Sequence, residues 1–162
     1  MAATPIAAVE RYWPTGVAEW LWVPTMADYE NPTRAELNAG TALRREMNSS
    51  EGWNTTGEDI ATPDGESRFE SSIPGKITAE ESSFTIYAAE DGDDARALMP
   101  RGTAGYVVRM PGGDVAGRKM DNFPVRVKTV SKLMNVGDEE AGRLQFQFSI
   151  TREPAEDLTI PA

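Results

Sequence analysis

Three clusters of carboxylates are the candidates for catalytic residues in this chain. General acid–base catalysis requires two carboxyl groups that converge in a pocket with separated pKa values. Adjacent residues of a strand point to opposite faces, so neighbouring acids do not converge by themselves. We therefore predict structural roles, as charged turns or helix ends, and no catalytic residue in these clusters, which are Glu80-Glu81, Glu90-Asp91 with Asp93-Asp94, and Glu139-Glu140.

No metal or cofactor site is predicted either. The sequence contains no His and no Cys, which excludes His/Cys metal sites and His-based catalytic triads. The segment EDGDDAR, residues 90–96, lacks the ligand spacing and terminal Glu of a helix–loop–helix calcium site. The segment MPGGDVAG, residues 110–117, lacks the residue order of a phosphate-binding loop, and a strand follows it. We interpret it as the loop of a hairpin.

The net charge of −10 is concentrated in the middle of the chain. Residues 51–100 contain twelve Asp/Glu and three Lys/Arg, whereas the other 112 residues contain fourteen and thirteen. Binding to nucleic acid depends on clustered cations that contact phosphates. The distribution therefore disfavours a nucleic-acid-binding surface and suits a surface that does not hold a polyanion, although an acidic solvated face that aids solubility is the simpler interpretation.

The last third of the chain predicts a long β-hairpin. In GRLQFQFSITREP, residues 142–154, apolar and polar side chains alternate strictly, which indicates a strand with one buried face. Its arms are Phe123–Met134 and Gly142–Arg152, joined by an acidic turn. The outward face of the second arm carries no charge at its four positions, so Gln145 and Gln147 are candidates for contact with another copy of the chain.

Other segments predict short strands and two small helices. A strand over Val17–Met26 contains Trp20 and Trp22, for which packing in a core or a subunit interface is commoner than stacking on a ligand. We predict a second strand pair over Phe69–Ala88 that turns at Pro74-Gly75. Trp53 and Ile60 are expected to anchor probable strands on either side of NSSEG, residues 48–52. Helix starts are expected at a Thr33/Glu36 capping box and at Asp93 or Asp94, with Pro100 ending the second helix.

These patterns favour one mainly β domain over residues 1–162, with one or two short flanking helices and an extended segment over residues 1–16. The start of the chain resembles no secretory signal. The apolar run Trp20–Pro24 is too short to cross a bilayer, so we expect a soluble protein without membrane insertion.

An ordered set of segments resembles the tail tube (major tail) proteins of tailed phages of actinobacteria. The resemblance extends from about Trp20 to the end, and the segments that carry it are PTRAELNAGTAL, GEDIATPDGESRFESSIPGK, SSFTIYAAEDGDDARALMPRGTAGYVV, MDNFPVRVKTVSK and FSITREPAEDLTIPA. It implies a β-sandwich or barrel-like tail tube fold and assembly into stacked hexameric rings. It also implies a tube of joined strands that conducts DNA, no catalytic residues, and a place in the virion tail after synthesis in the host cytoplasm. The implied partners are other copies of the chain, the tape measure protein and other tail proteins.

On this resemblance, one of the two predicted hairpins contributes to the inner wall of the tube. The Arg and Lys residues of Phe123–Met134 count against the first hairpin, whereas the Glu-rich second pair suits an acidic channel. The candidate lumen-facing residues are Glu70, Glu80 and Glu81, and the candidate subunit-interface residues are Trp20, Trp22, Gln145 and Gln147.

The sequence is also compatible with other functions. Within virion proteins, the alternatives are the tube protein of a contractile tail or injection system and a tail terminator. A carbohydrate-binding β-sandwich would require exposed tryptophans. A carboxylate-dependent hydrolase is disfavoured by the missing histidine and the lack of converging acids.

Overall fold

The computed structural model of the chain describes residues 3–137 and 139–162, which form ten strands and two short helices. The predicted mainly β fold with two short helices is confirmed. In chain order the elements are β1 (Glu19–Val23), α1 (Arg34–Asn38), β2 (Thr41–Ala42), β3 (Met47–Glu51), β4 (Thr55–Thr62), β5 (Ser71–Ala79), β6 (Ser82–Tyr87), α2 (Ala95–Leu98), β7 (Ala104–Met110), β8 (Lys119–Leu133), β9 (Arg143–Ile150) and β10 (Ala155–Thr159).

Eight strands form one antiparallel sheet that folds over on itself. The strand order is β2-β1-β7-β8-β9-β6-β3, with β10 also paired to β8. In a flat sheet β1 and β6 would be roughly 19 Å apart, because four spacings of about 4.8 Å separate them. Yet the rings of Trp20 on β1 and Phe84 on β6 are 5.2 Å apart. The sheet therefore closes on an internal core and gives a sandwich-like fold.

The strands β1 and β7 bury both of their faces. Trp20 and Trp22 belong to the larger core, which is rich in aromatic residues, while the alternate residues Leu21 and Val23 belong to a second cluster that includes Leu37 of α1. Residues of opposite parity point to opposite sides of a strand. This part of the sheet is consequently a central layer, with α1 and the C-terminal Ile160 contributing to the second cluster.

The predicted C-terminal hairpin is confirmed. Strand β8 is 15 residues long and pairs with β9 from Val125↔Ile150 to Leu133↔Arg143, with a bulge between Val127 and Thr129. Leu144, Phe146 and Phe148 of β9 are buried, Ile150 is partly buried, and the amide side chains of the strand are partly exposed, as the alternation predicts. The turn predicted between the two arms contains Asp138, which lies outside the described residues.

Both predicted helix starts are confirmed. The Thr33 side chain accepts a hydrogen bond from the Glu36 amide, and the Glu36 carboxylate accepts one from the Thr33 amide in return. This capping box satisfies two amide groups that the helix itself leaves free. The second helix begins at Asp94, whose side chain accepts from the amide of Arg96 and pairs with its guanidinium at 2.8 Å. Helix α2 ends at Leu98, just before Met99 and Pro100.

The second predicted strand pair is wrong. Pro74 and Gly75 lie inside β5, which pairs with β4, while β6 belongs to the large sheet. The hairpin turns instead through residues 63–70, after Thr62. A two-stranded ribbon tolerates Pro74 because each of its strands has one free edge, and a β-bulge lies next to this position.

Two predictions near this ribbon are also wrong. Ile60 is 53% exposed and anchors no core, although Trp53 is buried as predicted. The residues 48–51 of the predicted separator NSSEG form most of β3. They pair with β6 and supply small polar side chains to a sheet margin, which is why they lack the apolar alternation of a buried strand.

Candidate channel wall and assembly surfaces

A nearly uncharged polar face extends across four neighbouring strands of the large sheet. Residues paired in register share a face of the sheet. Two successive rows run across β3, β6, β9 and β8, and we call their eight residues the polar face. The first row is Ser49, Thr85, Gln145 and Ser131, and the second is Glu51, Ser83, Gln147 and Thr129.

The side chains of the polar face are held in place by burial and hydrogen bonding, and by the packed core on the opposite side of the sheet. Thr85 and Ser83 are each only 8% exposed, and the hydroxyl of Thr129 donates to the Gln147 side-chain carbonyl at 2.8 Å. Behind them Phe84 and Phe146 are fully buried. The same strands therefore present a hydrophobic side to the core and a polar side outward, with Glu51 as the one charged member of the face.

Charges at the two ends of the polar face are paired. At one end, Glu81 binds the Lys128 ammonium at 3.1 Å. At the other end, the Arg143 guanidinium binds Glu140, and the Asn48 amide donates to the Tyr87 hydroxyl at 3.1 Å. Exposed pairs of this kind contribute little to stability. Lys128 and Arg143 therefore have carboxylate partners, whereas the exposed Arg126, opposite Ser149 in the next row of the same face, has none among the described residues.

Both margins of this four-stranded region are open among the described residues. Strand β3 pairs with β6 on one side and with no strand on the other. Strand β8 pairs with β7 only as far as Arg126, and the backbone of Val127 bonds to Gly102 and Thr103. Beyond that point the stretch Thr129–Leu133 has β9 on one side and no described strand on the other. Open strand margins carry unpaired backbone donors and acceptors and invite pairing with another chain.

The ribbon of β4 and β5, with its loop over residues 63–70, forms an exposed arm. Its strands pair only with each other, and almost all of their residues are exposed. Three isoleucines, Ile60, Ile73 and Ile77, are 53%, 52% and 64% exposed, and Phe69 in the loop is 76% exposed. An isolated two-stranded hairpin is marginally stable in water. The arm thus presents apolar side chains without a partner surface in its own chain.

The root of the arm is fixed by one ion pair. Arg109 donates through Nε to Asp121 at 2.9 Å and through Nη1 to the carbonyl of Trp53 at 3.0 Å. Asp121 also accepts from the Asp157 amide of β10 at 3.0 Å. Trp53 and Asp157 are the two non-glycine residues with positive φ in the described chain, at 64° and 57°. This pair therefore holds both strained positions, one before the arm and one in the C-terminal strand.

The structure does not bring the three predicted lumen residues together. Glu70 lies at the end of the arm loop and Glu80 at the arm root, where its carboxylate accepts from the Asn54 amide at 3.3 Å. Only Glu81 borders the polar face, through its pair with Lys128.

The predicted interface residues occupy two different environments. Trp20 is 9% exposed and Trp22 is 1% exposed, so their rings pack in the core of the single chain. Gln145 and Gln147 lie on the polar face, in a strand that is paired on both sides. An interface role for these four residues stays a prediction. Sequence reasoning missed Ser83 and Thr85, although SSFTIY alternates neutral polar and apolar residues as β9 does.

The described residues contain no arrangement that would suit a metal site, since no three His, Cys, Asp or Glu side chains there cluster suitably. The carboxylate clusters have structural roles: Asp94 caps α2, and the neighbouring Arg96 lowers the pKa of its carboxyl to about 2. Neither helix of the described chain has the length and apolar character needed to cross a bilayer.

A family model described as phage tail tube protein matches residues 7–162. No curated protein matches the chain. A cryo-EM structure of the anti-feeding prophage cap, described as the AFP tube terminating cap, is similar with a TM-score of 0.59 and 15% identity. The match covers 91% of this chain and 93% of that one, and at this identity it shows a shared fold.

Proposed function

The chain belongs to the phage tail tube protein family, and from that premise we propose that six copies close into a ring whose inner wall is built from the polar face. The family is a structural one without enzymatic activity, and its members are virion components. Rings of this kind would stack into the hollow tail tube.

The single observation that carries this proposal is a polar-faced, four-stranded region with two open margins. Pairing the margin of β3 in one copy with Thr129–Leu133 of the next satisfies both sets of free backbone groups. Six copies would supply about 24 strands with a circumference of roughly 115 Å and a diameter of roughly 37 Å before tilt is included. Barrels of about 16 to 18 strands already enclose an aqueous channel, so this ring would leave room for a DNA duplex.

The chemistry of the polar face suits a channel through which DNA slides. Tight binding to DNA needs Lys and Arg that displace counterions from phosphates. On the polar face the one charged residue is Glu51, and the nearby Lys128 is paired with Glu81, so that Arg126 in the next row is the one bordering cation without a described carboxylate partner. We propose that Gln145, Gln147 and Glu81 contact the solvent of the channel, and that DNA passes without specific binding.

The arm is the second assembly element of the proposal. Its exposed Ile60, Ile73 and Ile77 would be covered by a neighbouring copy, which would also stabilise a ribbon that is marginal alone. Residues 55–79 contain five Asp/Glu and two Lys/Arg. We propose that Glu70 in the arm loop and Glu80 at the arm root add negative charge along the DNA path where rings meet.

The wider role follows from the family. We propose that the tube conducts phage DNA toward the host, contacts the tape measure protein and other tail proteins, and is assembled from subunits made in the host cytoplasm. The fold shared with a tube terminating cap supports a second candidate role as a tail terminator or as the tube protein of a contractile system. A terminator would form single rings, whereas a tube protein would polymerise.

Electron microscopy of the purified chain tests the proposal, with hollow tubes as the expected result. The absence of Cys allows single labelling sites. In tubes, Gln147→Cys should react with a small maleimide but not with a maleimide on a bulky polymer, whereas Val115→Cys, in a loop and 47% exposed, should react with both. Equal reaction of both variants with the bulky reagent, or a chain that stays monomeric at high concentration, would contradict the proposal.

A further inference from the structure

We propose that the groove between α2 and β2 binds the N-terminal segment, residues 3–13, of a second copy of this chain. This inference rests on the proposed function, because it needs neighbouring copies, and it assigns a specific pair of surfaces to them.

The N-terminal segment has the apolar side chains of a peptide that binds to a protein surface, not the polar composition of a solvated tail. It contains no helix or strand, and every residue in it is exposed. Four large apolar side chains lie open to water: Ile6 at 96%, Val9 at 80%, Tyr12 at 56% and Trp13 at 78%. Exposed apolar groups at this density indicate a surface that is covered in the working assembly.

A turn separates this exposed segment from β1. The amides of Val17 and Ala18 both donate to the Pro14 carbonyl, at 2.9 and 2.8 Å, and Gly16 adopts a positive φ of 82°. Arg44 fixes the turn by donating to the Gly16 carbonyl at 3.3 Å. Eleven extended residues before the turn reach roughly 36 Å, which is long enough to cross onto a neighbouring subunit.

The groove has a volume of about 740 Å³. Its apolar lining includes Leu43, Ile86, Ala88 and Leu98, and it contains no Lys or Arg. One wall is β2, which pairs with β1 and with no other strand of the described chain. An extended peptide can therefore add to the free side of β2 while its alternate side chains enter the groove.

Charge complementarity between the groove and one face of the N-terminal segment supports this occupant. The lining includes the carboxylates of Glu46 and Asp93, both exposed, and that of Asp94, which Arg96 already neutralises. In an extended segment, Val9, Arg11 and Trp13 share one face. Docking that face places Arg11 between two apolar anchors and turns Glu10 away. Arg11 then lies opposite Asp93 and opposite Glu46, which also pairs with the exposed Arg45 at 3.7 Å. The arm, by contrast, is acidic and does not complement this surface.

Disulfide trapping between two differently marked copies tests the inference, since the natural chain has no Cys. Val9→Cys protein and Leu98→Cys protein are mixed in equal amounts, assembled and mildly oxidised. We expect a cross-linked dimer in high yield. The matched control replaces Leu98→Cys with Ile60→Cys, which is more exposed but lies on the arm, and should give a much lower yield.

A charge exchange tests the specificity of the contact. Arg11→Glu in the Val9→Cys copy should lower the yield severalfold at low salt, and Glu46→Arg in the Leu98→Cys copy should recover part of it. Equal yields in the groove and arm pairings, or no change on charge reversal, would overturn the inference. So would an intramolecular disulfide in dilute Val9→Cys/Leu98→Cys protein, because the occupant would then be the chain's own segment.

The outcome is separable from that of the proposed function. Tubes that form without the Val9–Leu98 cross-link would refute the groove assignment and leave the tube proposal intact. A chain that forms neither rings nor tubes would refute the proposed function, and the missing intermolecular cross-link would refute the inference with it.

Discussion

The arm and the β8–β9 hairpin are built from the same motif, yet they differ in what lies behind them. Both are antiparallel pairs of long strands interrupted by one bulge. In the hairpin Leu144, Phe146 and Phe148 are at most 2% exposed, whereas the arm leaves Ile60 and Ile73 about half exposed. Strand pairing is therefore common to both, and side-chain burial is present in only one.

This difference in burial suggests that the hairpin stabilises the folded subunit, whereas the arm is stabilised on assembly. Burying a large apolar side chain contributes about 1.5–3 kcal/mol, while a net backbone hydrogen bond contributes only about 0.5–1.5 kcal/mol. The hairpin can therefore hold its shape in a lone subunit, whereas the arm depends on whatever surface covers it. We expect the arm to open more readily than the hairpin in hydrogen exchange of the unassembled subunit.

The largest effect is expected from truncating matched apolar residues in the two regions. Phe146→Ala removes a fully buried ring and should lower the free energy of unfolding of the subunit by about 3–5 kcal/mol. Ile60→Ala in the arm should change it by less than about 0.5 kcal/mol. Urea unfolding of unassembled protein measures both. Similar losses for the two variants would show that the arm belongs to the folded core.

Two glycines allow the packing at the arm root to be compared with the packing inside the arm. Gly52 has a φ of 75°, and a Cβ there would lie 2.3 Å from the Glu81 carbonyl oxygen. Gly52→Ala should therefore cost roughly 2–4 kcal/mol. Gly57→Ala, inside the arm, meets no atom within 4 Å and should be nearly neutral. Thermal unfolding distinguishes them, and a neutral Gly52→Ala would mean that the root is loosely held.

Part of the pH dependence of stability should come from Asp94, the residue that caps α2. Its pKa is lowered from 3.8 to about 2, chiefly by the Arg96 side chain, and its side chain is only 6% exposed. A lowered folded-state pKa stabilises the fold above pH 3.8, and this contribution of roughly 2 kcal/mol is lost as the pH falls toward 2. Asp94→Asn should remove this acid-dependent loss in pH-resolved unfolding, and Arg96→Gln should shift it to higher pH. An unchanged pH profile would refute the role of this pair.

The smallest effect compares polar pairs of similar geometry. Thr129 bonds Gln147 at 2.8 Å on the partly buried polar face, and Thr56 lies 3.2 Å from Thr78 on the exposed arm. Thr129→Val should cost about 1 kcal/mol, because it leaves a partly buried acceptor unpaired. Thr56→Val should stay within about 0.5 kcal/mol. Equal losses in the free energy of unfolding for the two variants would indicate that water is excluded from the arm to the same extent as from the polar face.

Sequence reasoning succeeded where the signal is local. The Thr33/Glu36 capping box and the Asp94 cap involve neighbours within three residues. The alternation from Leu144 to Ile150 is likewise a local pattern, because it follows from a single buried face of one strand. Each of these patterns is decided by short-range chemistry, so the structure reproduces them.

It failed where the partner of a segment decides its conformation. Pro74-Gly75 is a strong turn signal, but β5 continues through it because an isolated ribbon has a free edge there. The observed loop begins instead with Pro63-Asp64-Gly65. The polar face could be predicted in β9 alone. Its continuation through Thr85 and Ser49 depends on strand pairing across more than 30 residues of sequence, which no local pattern specifies. The strand β10 is mostly exposed and was not predicted.

The ion pair between Arg109 and Asp121 has a mechanical consequence. It joins the carbonyl that precedes the arm to the amide of Asp157 in the last strand, through two side chains anchored in the neighbouring strands β7 and β8. A pull on the C-terminal strand is therefore transmitted to the base of the arm through three hydrogen bonds that run beside the core rings of Phe123 and Trp53. In a long filament of such subunits, that short path would let bending strain be shared between the two extremities of each subunit.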